Sequence, residues 1–584
     1  MIRSLSVIFS VPLFAFHCVV ALEQTPSAKS DKPAAIKTLF DQHIRVRDGV
    51  VLSADLYRPA AESKYPCILT RTPYLKGASD AMFRIAKFFA QHGYVFVSVD
   101  VRGRGDSQGT FVPYRSDGQD GYDTIEWCAS QPWSTGKVGT LGGSYGGVNQ
   151  WLAAVERPPH LTTMIVMVSP SDPYVEFPTG LPIPQILSWD FLVSGHVLQN
   201  VGAVDWEAVY WHLPLLTMDD ETGRSIPHWR NRVDHAGLDS FWDPERYQDK
   251  YDRVQVPVFH LSGWYDDEQI GTPLNFIGMT TKGPEAVRHS QKMIMGPWPH
   301  NIMRGQQKLG ELDYGPAAVI DFNNTFLRWY DAWLKGIDNG VKVEPPVRLF
   351  VMGENRWNDE KEWPLARTRY TRYYLHSDGK ANTLSGNGTL SPQAPVAEKT
   401  DSFVYDPAKP VPFITAPTSG QIGGPDDYRT VESREDVLVY STEPIRENVQ
   451  VCGPIKVVLH AASTAKDTDF TAKLIDVWPE GFAQRLSDGM VRARFRNGME
   501  KQQLIEPGKI YTYNIDAWNT CQVFLKGHRI RLELSSSAFP KYDRNPNTGA
   551  PLGKTIEMVT AGQTIYHDVQ HASYVELPII PSLK

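Results

Sequence analysis

The chain is short of cysteine, carries no surplus of positive charge and has no long apolar run beyond its N-terminus, and each shortage excludes something. Five cysteines in 584 residues, none spaced C-x-x-C, do not suffice for a disulfide framework and imply no thiolate metal site. There is no H-E-x-x-H, so no zinc-protease helix is implied. A net charge of -7 lacks the cationic excess that phosphate neutralisation requires, and nucleic acid is not an expected partner. No stretch after Ala21 is long and apolar enough to cross a membrane. No repeat or low-complexity segment suggests a structural protein. What is present, 41% hydrophobic and 21% charged residues, is ordinary for a globular protein of two or three domains.

The N-terminus has a basic start at Arg3 and an apolar run from Leu5 to Ala21, which matches a secretory signal over residues 1–21 cleaved near Ala21. An uncleaved anchor is the alternative, because the run is about as long as a short membrane span. The expected location is secreted or periplasmic. Of the cysteines that remain, Cys452 and Cys521 lie in β-rich sequence and either pair after export or stay as buried thiols.

Residues 36–170 read as the first part of an α/β sheet. HIRVRDGVVLSADLYRP turns about Asp48-Gly49 like a two-residue hairpin. Tyr65 to Thr70 and Tyr94 to Val101 are buried strands with helical sequence between them. RGRGDSQGTF places Gly103, Gly105 and Gly109 one residue away from the dinucleotide fingerprint, with no periodic helix behind it, and reads as a turn-rich loop. Lys137 to Leu141 is a strand that runs into Gly142-Gly143-Ser144-Tyr145-Gly146, the G-x-S-x-G pattern of a nucleophile elbow, in which a sharp strand-to-helix turn lifts a serine hydroxyl clear of the backbone. Pro- and Trp-rich residues 171–253 read as a helical insertion over the sheet, the usual source of a substrate pocket. The sheet resumes over 254–344, where two strands end in GWYDDEQ and GPWPH and present Asp266 and His300. Serine, then acid, then histidine, each at a strand end, is the chain order of an α/β-hydrolase triad. From residue 345 to 584 short strands separated by turns signal an all-β sandwich or jelly roll.

Across nearly all of the chain after its leader, the ordered motifs RDGVVLSADLYRP, RTPY, VDVRGRGDSQG, GGSYGG, GWYD, GPWPH, DVWPEG, RARFR and FPKYDRNPNTG resemble the family that contains cocaine esterase, the α-amino-acid ester hydrolases, glutaryl cephalosporin acylases and X-Pro dipeptidyl peptidases. The resemblance implies an α/β-hydrolase core, an inserted helical cap and a jelly-roll domain. It also implies Ser144 as nucleophile, His300 as base, Asp266 as its orienting acid, and the Tyr74 hydroxyl with the Tyr145 N–H as oxyanion donors. In the α-amino-acid ester hydrolases, acids two and three places after the catalytic Asp help hold the substrate ammonium. Here those positions are Glu268 and Gln269, so one acid is kept and one is lost. A cap acid completes that cluster, with Asp172, Glu176 and Asp190 as candidates. Glu268, Asp172, and the motif tryptophans Trp264 and Trp298 are the expected substrate contacts.

The expected function is therefore a secreted serine hydrolase that cleaves a small ester or amide, α-amino-acid esters and β-lactam side chains included, through an acyl-enzyme. No metal or organic cofactor is needed. The partner is a small molecule, with no membrane contact after signal cleavage, and self-association into a homo-oligomer is left open. Its histidine base is expected to titrate at a pKa of about 6 to 7. The rival readings are an X-Pro dipeptidyl-peptidase-like aminopeptidase, and a non-catalytic carbohydrate-binding protein that uses its jelly roll.

Overall fold

The computed structural model describes residues 34–414 and 424–581. The leader expected at the N-terminus lies outside them.

Ten strands form one sheet. β1 (Ile36–Arg45) and β2 (Val51–Pro59) make the hairpin about Gly49, and β2 pairs antiparallel with β4 (Val95–Asp100). β3 (Tyr65–Thr72), β5 (Ser134–Gly143), β6 (Leu161–Met167), β7 (Val258–Tyr265) and β8 (Lys292–Pro299) continue it in parallel, in the order β4-β3-β5-β6-β7-β8. Beyond a small hairpin, β9 (Lys308–Leu309) with β10 (Leu312–Asp313), the far edge is closed by β11 (Val347–Val351) and β12 (Arg356–Glu360). The parallel strands are buried over their central residues, with apolar stretches such as residues 164–167 and 293–295, as expected where helices cover both faces. On one face lie α2 (Asp117–Ser130) and α3 (Tyr145–Val155), and on the other α1 (Asp80–Gln91) and α10 (Phe322–Leu334). The start of α10 is fixed by Asp321, whose carboxylate accepts from the Asn324 N–H at 3.1 Å, an N-cap that satisfies one of the orphan donors of a first turn.

Between β6 and β7 the chain leaves the sheet and folds into short helices: α4 (Pro173–Glu176), α5 (Ile186–Leu192), α6 (Trp206–Trp211) and α7 (Pro227–Asp234). They have their own apolar cluster, which includes Phe539 from far along the chain. α8 (Gly271–Thr281) and α9 (Glu285–Arg288) then link β7 to β8.

The C-terminal region is an all-β domain built on an eleven-stranded sheet. Cys452 and Cys521 face each other in register on neighbouring strands and are disulfide-bonded, which resolves the alternative the sequence leaves open. This domain also grips the end of β7. The Gln269 amide donates to Asn519 O at 2.6 Å and accepts from Asn519 N at 3.3 Å. Gln484 donates to the Tyr265 hydroxyl at 2.9 Å.

Candidate active site

At the carboxyl end of β5 the backbone turns into α3 through Ser144, at φ 57° and ψ -127°. A non-glycine residue in this region is strained, and the neighbours must hold it there. They do: the Ser144 N–H donates to Met167 O and Val168 O, and a Cβ on Gly142 would come within 2.5 Å of Gly146 O, so the turn closes only with glycine at that place. Tyr145 is the first residue of α3, where an N–H has no carbonyl four residues back to bond. Its ring is fixed by a hydrogen bond to Asp117 and by stacking on Tyr114.

Asp266 and His300 follow the ends of β7 and β8. His300 Nδ1 lies 2.7 Å from Asp266 Oδ1. The carboxylate is itself held by Ser262 Oγ at 2.5 Å and the Glu268 N–H at 3.0 Å. Asp267 is a further carboxylate on the same imidazole, 3.2 Å from Nδ1. Burial alone would push His300 down, but Asp267, Asp266 and Glu268 outweigh it and push it up to about 10. That moves the base above the range expected from an ordinary imidazole. Asp267 is pushed up to about 6, first by burial and then by Asp266 against the pull of His300.

Tyr74 follows β3. Its hydroxyl accepts from Trp189 Nε1 at 2.9 Å and lies beside Ser144. Burial raises its pKa, so the phenol keeps its proton. Ser144, Tyr74, Trp189 and His300 all line one cavity of about 1090 Å³ that runs out under the cap to Trp206, Trp211 and Phe539.

Of the three cap acids the sequence offers, the structure brings Glu176 to the site. Its carboxyl faces that of Glu268, and a smaller chamber that both acids line together with Asp267 opens off the main cavity. Burial pushes Glu176 up to about 8. Glu268 is raised well above the usual carboxylate range by burial and by the Glu176 and Asp267 charges. Two facing carboxyls cannot both ionise cheaply, so the pair favours holding a proton.

Three expected substrate contacts are corrected. Asp172 is fully buried and accepts from the Tyr247 N–H at 3.0 Å and the Gln248 N–H at 3.3 Å, bracing the cap instead of facing the cavity. Trp264 gives its indole N–H to Phe350 O at 2.8 Å and packs on Trp363, and Trp298 gives its own to Ala318 O at 2.8 Å beneath Phe322. A buried indole needs an acceptor, and both find it in the core. Asp190 lies 3.6 Å from Arg232 inside the cap. The sequence reading misses Trp189, which belongs to no motif, and Phe539, which comes from the other domain. Gln269, where the cluster loses an acid, is taken up by the Asn519 contact.

A serine at the elbow of a mainly parallel, helix-flanked sheet, with acid and histidine at later strand ends, defines the class: an α/β-hydrolase of the serine type. Residues 48–301 match the family described as X-Pro dipeptidyl-peptidase (S15 family), and residues 339–576 the X-Pro dipeptidyl-peptidase C-terminal non-catalytic domain. The chain is 36% identical over 575 residues to cocaine esterase of Rhodococcus sp. (strain MB1 Bresler), covering 92% of this chain and 97% of that one. Among solved structures it is similar to an α-amino acid ester hydrolase, with 27% identity, a TM-score of 0.82 and coverage of 95% and 98%. It is also similar to an aminopeptidase from a marine sediment Thaumarchaeota archaeon, with 26% identity, a TM-score of 0.82 and coverage of 96% and 99%. The chain belongs to the cocaine esterase and X-Pro dipeptidyl-peptidase family and is a serine hydrolase; the non-catalytic reading is set aside.

Proposed function

We propose that the protein hydrolyses α-amino acyl esters through a covalent Ser144 intermediate. Ser144 Oγ attacks the ester carbonyl while His300 takes its proton, and Asp266 holds the imidazole in the right tautomer. The Tyr74 hydroxyl and the Tyr145 N–H donate to the oxygen on which negative charge develops. His300 then gives the proton to the leaving alcohol. Water repeats the sequence on the acyl-enzyme, releasing the acid and restoring Ser144.

The observation that carries the substrate class is the Glu176–Glu268 carboxyl pair beside Asp267, in a chamber next to the nucleophile. Held by a shared proton, the pair exchanges it for an α-ammonium, which pairs with both carboxylates away from water. The likeness to an α-amino acid ester hydrolase supports the same reading. The aromatic outer wall at Trp206, Trp211 and Phe539 favours a second one, a bulky uncharged ester. The test compares an α-amino acyl ester with its deaminated analogue in wild type and in Glu176→Gln and Glu268→Gln. The first reading expects a wild-type preference of about 30-fold or more in kcat/KM that collapses in both variants. Equal rates in wild type would leave the second.

We also place the mature enzyme outside the cytoplasm. The leader-like N-terminus supports this, as does the Cys452–Cys521 bond, since disulfides persist in oxidising compartments. Mass spectrometry of exported protein should find a chain starting just after Ala21, and recovery of the intact chain in the cytoplasm would refute it.

A further inference from the structure

The glycine-rich loop after β4, RGRGDSQG, has no part in the chemistry described so far, yet it holds the most deeply buried cation near the nucleophile. Arg104 is 0% exposed. Its three hydrogen bonds all go to backbone carbonyls. Nε donates to Pro73 O at 2.7 Å, and Nη1 donates to Val193 O at 2.7 Å and to Gly195 O. Nη2 has no partner among the described residues. Taking a guanidinium out of water without a hydrogen-bonded carboxylate is costly. The desolvation shows as a pKa pushed down to about 10.

What these carbonyls belong to gives the cost a purpose. Pro73 immediately precedes Tyr74. Val193 is the residue that ends α5 and Gly195 lies two residues beyond it, so the guanidinium fork is tied to the chain just where it leaves that helix. α5 carries Trp189, the residue that donates to the Tyr74 hydroxyl at 2.9 Å. The loop reaches the cap a second time through the Gly105 N–H, which donates to His196 O at 2.7 Å. Gly105 itself is forced, at φ 48°, because a Cβ there would fall 2.1 Å from Asp100 Oδ2.

An indole N–H only donates, and a phenol has one proton. While the Tyr74 oxygen accepts from Trp189, its own proton is left to point elsewhere, toward Ser144 and the place where the oxyanion forms. We propose that Arg104 is a positioning residue for the oxyanion hole. Its planar fork locks the loop that carries Tyr74 to the cap helix that carries Trp189, and so keeps the Tyr74 proton aimed at the reacting carbonyl. The proposal rests on Tyr74 being an oxyanion donor. It also makes the seating of the cap a condition of catalysis, since α5 supplies the partner that orients the phenol.

A lysine keeps the charge but not the fork. The experiment is a double-mutant cycle of Arg104→Lys with Tyr74→Phe, read as kcat and KM separately on one ester, with a thermal melt of each variant. In the wild-type background Arg104→Lys should lower kcat about tenfold with KM within about threefold, and in the Tyr74→Phe background the same change should alter kcat by less than about twofold. An equal loss of kcat in both backgrounds, or an effect on KM alone, overturns the positioning role. If Tyr74→Phe by itself leaves kcat unchanged, the oxyanion reading fails and the proposal falls with it, a different signature from failure of the coupling. Should Arg104→Lys not fold, Trp189→Phe removes the indole donor and enters the same cycle. Its kcat loss should likewise vanish without the Tyr74 hydroxyl, and additivity there overturns the proposal.

Discussion

Replacing Asp267 by Asn tests how the carboxylates around His300 set the working pH. Asp267 Oδ1 sits 3.2 Å from His300 Nδ1, so at an effective dielectric of about 20 their attraction is at most about 5 kcal/mol. Opposite charges this close shift a pKa by about 1 to 3 units, and with Asp266 and Glu268 still present the loss of one partner belongs in that range. The sign follows from the two ionisations. Asp267 is pushed up to about 6 and His300 up to about 10, so Asp267 is charged throughout the interval in which His300 loses its proton. Its charge favours the imidazolium, which cannot accept the serine proton. In wild type the acidic limb of kcat/KM for a neutral chromogenic ester should therefore lie on the alkaline side of an ordinary imidazole, and Asp267→Asn should move it down by about 1 to 3 pH units. The plateau at high pH should change little, because Asp266 still orients the ring. Screening should be slight for so enclosed a pair, and added salt should not reproduce the shift. An unmoved limb, or one moved to higher pH, would refute the reasoning.

Ser144→Ala should lower kcat by a factor of about 10⁴ or more and leave the melting temperature within a few degrees, and a fluorophosphonate probe should mark Ser144 in wild type only; an adduct on another serine would falsify the assignment. Asp266→Asn should cost about 10⁴ in kcat by allowing the wrong tautomer, whereas a near-wild-type rate would mean that Asp267 is the orienting acid. Glu176 has a folded-state pKa raised from 4.5 to about 8, so it is protonated more readily folded than unfolded, and its contribution to stability is lost as pH rises from about 4.5 through 8. Glu176→Gln should consequently raise the melting temperature at pH 8 and not at pH 4, and an equal change at both would show that the carboxyl is not held neutral.

The parts of this site that can be read from the sequence are those written locally. An elbow needs small residues around one serine, and the acid and histidine sit where apolar runs stop, so Ser144, Asp266 and His300 are visible without coordinates. Distance along the chain and competing neighbours hide the rest. Asp172 and Glu176 flank the same short helical turn, and only its direction decides that one braces the cap while the other meets Glu268. Trp264 and Trp298 lie inside motifs that carry the chemistry, yet their indoles serve the core. The bond between Cys452 and Cys521 follows from strand register across a sequence separation of 69, which no local pattern encodes.

The wall formed by Pro412, Phe413, Phe539 and Pro540 has a consequence for how such an enzyme changes its diet. These residues lie in or beside the region whose matching family is described as non-catalytic, yet they face the same cavity as Ser144. Substitutions there can reshape the space offered to a substrate without touching the strained serine turn or the His300 pair, whose geometry tolerates little. New substrates are thus most readily reached by drift in the last third of the chain, and a directed-evolution library confined to the hydrolase core and its cap would leave one side of the pocket unsampled.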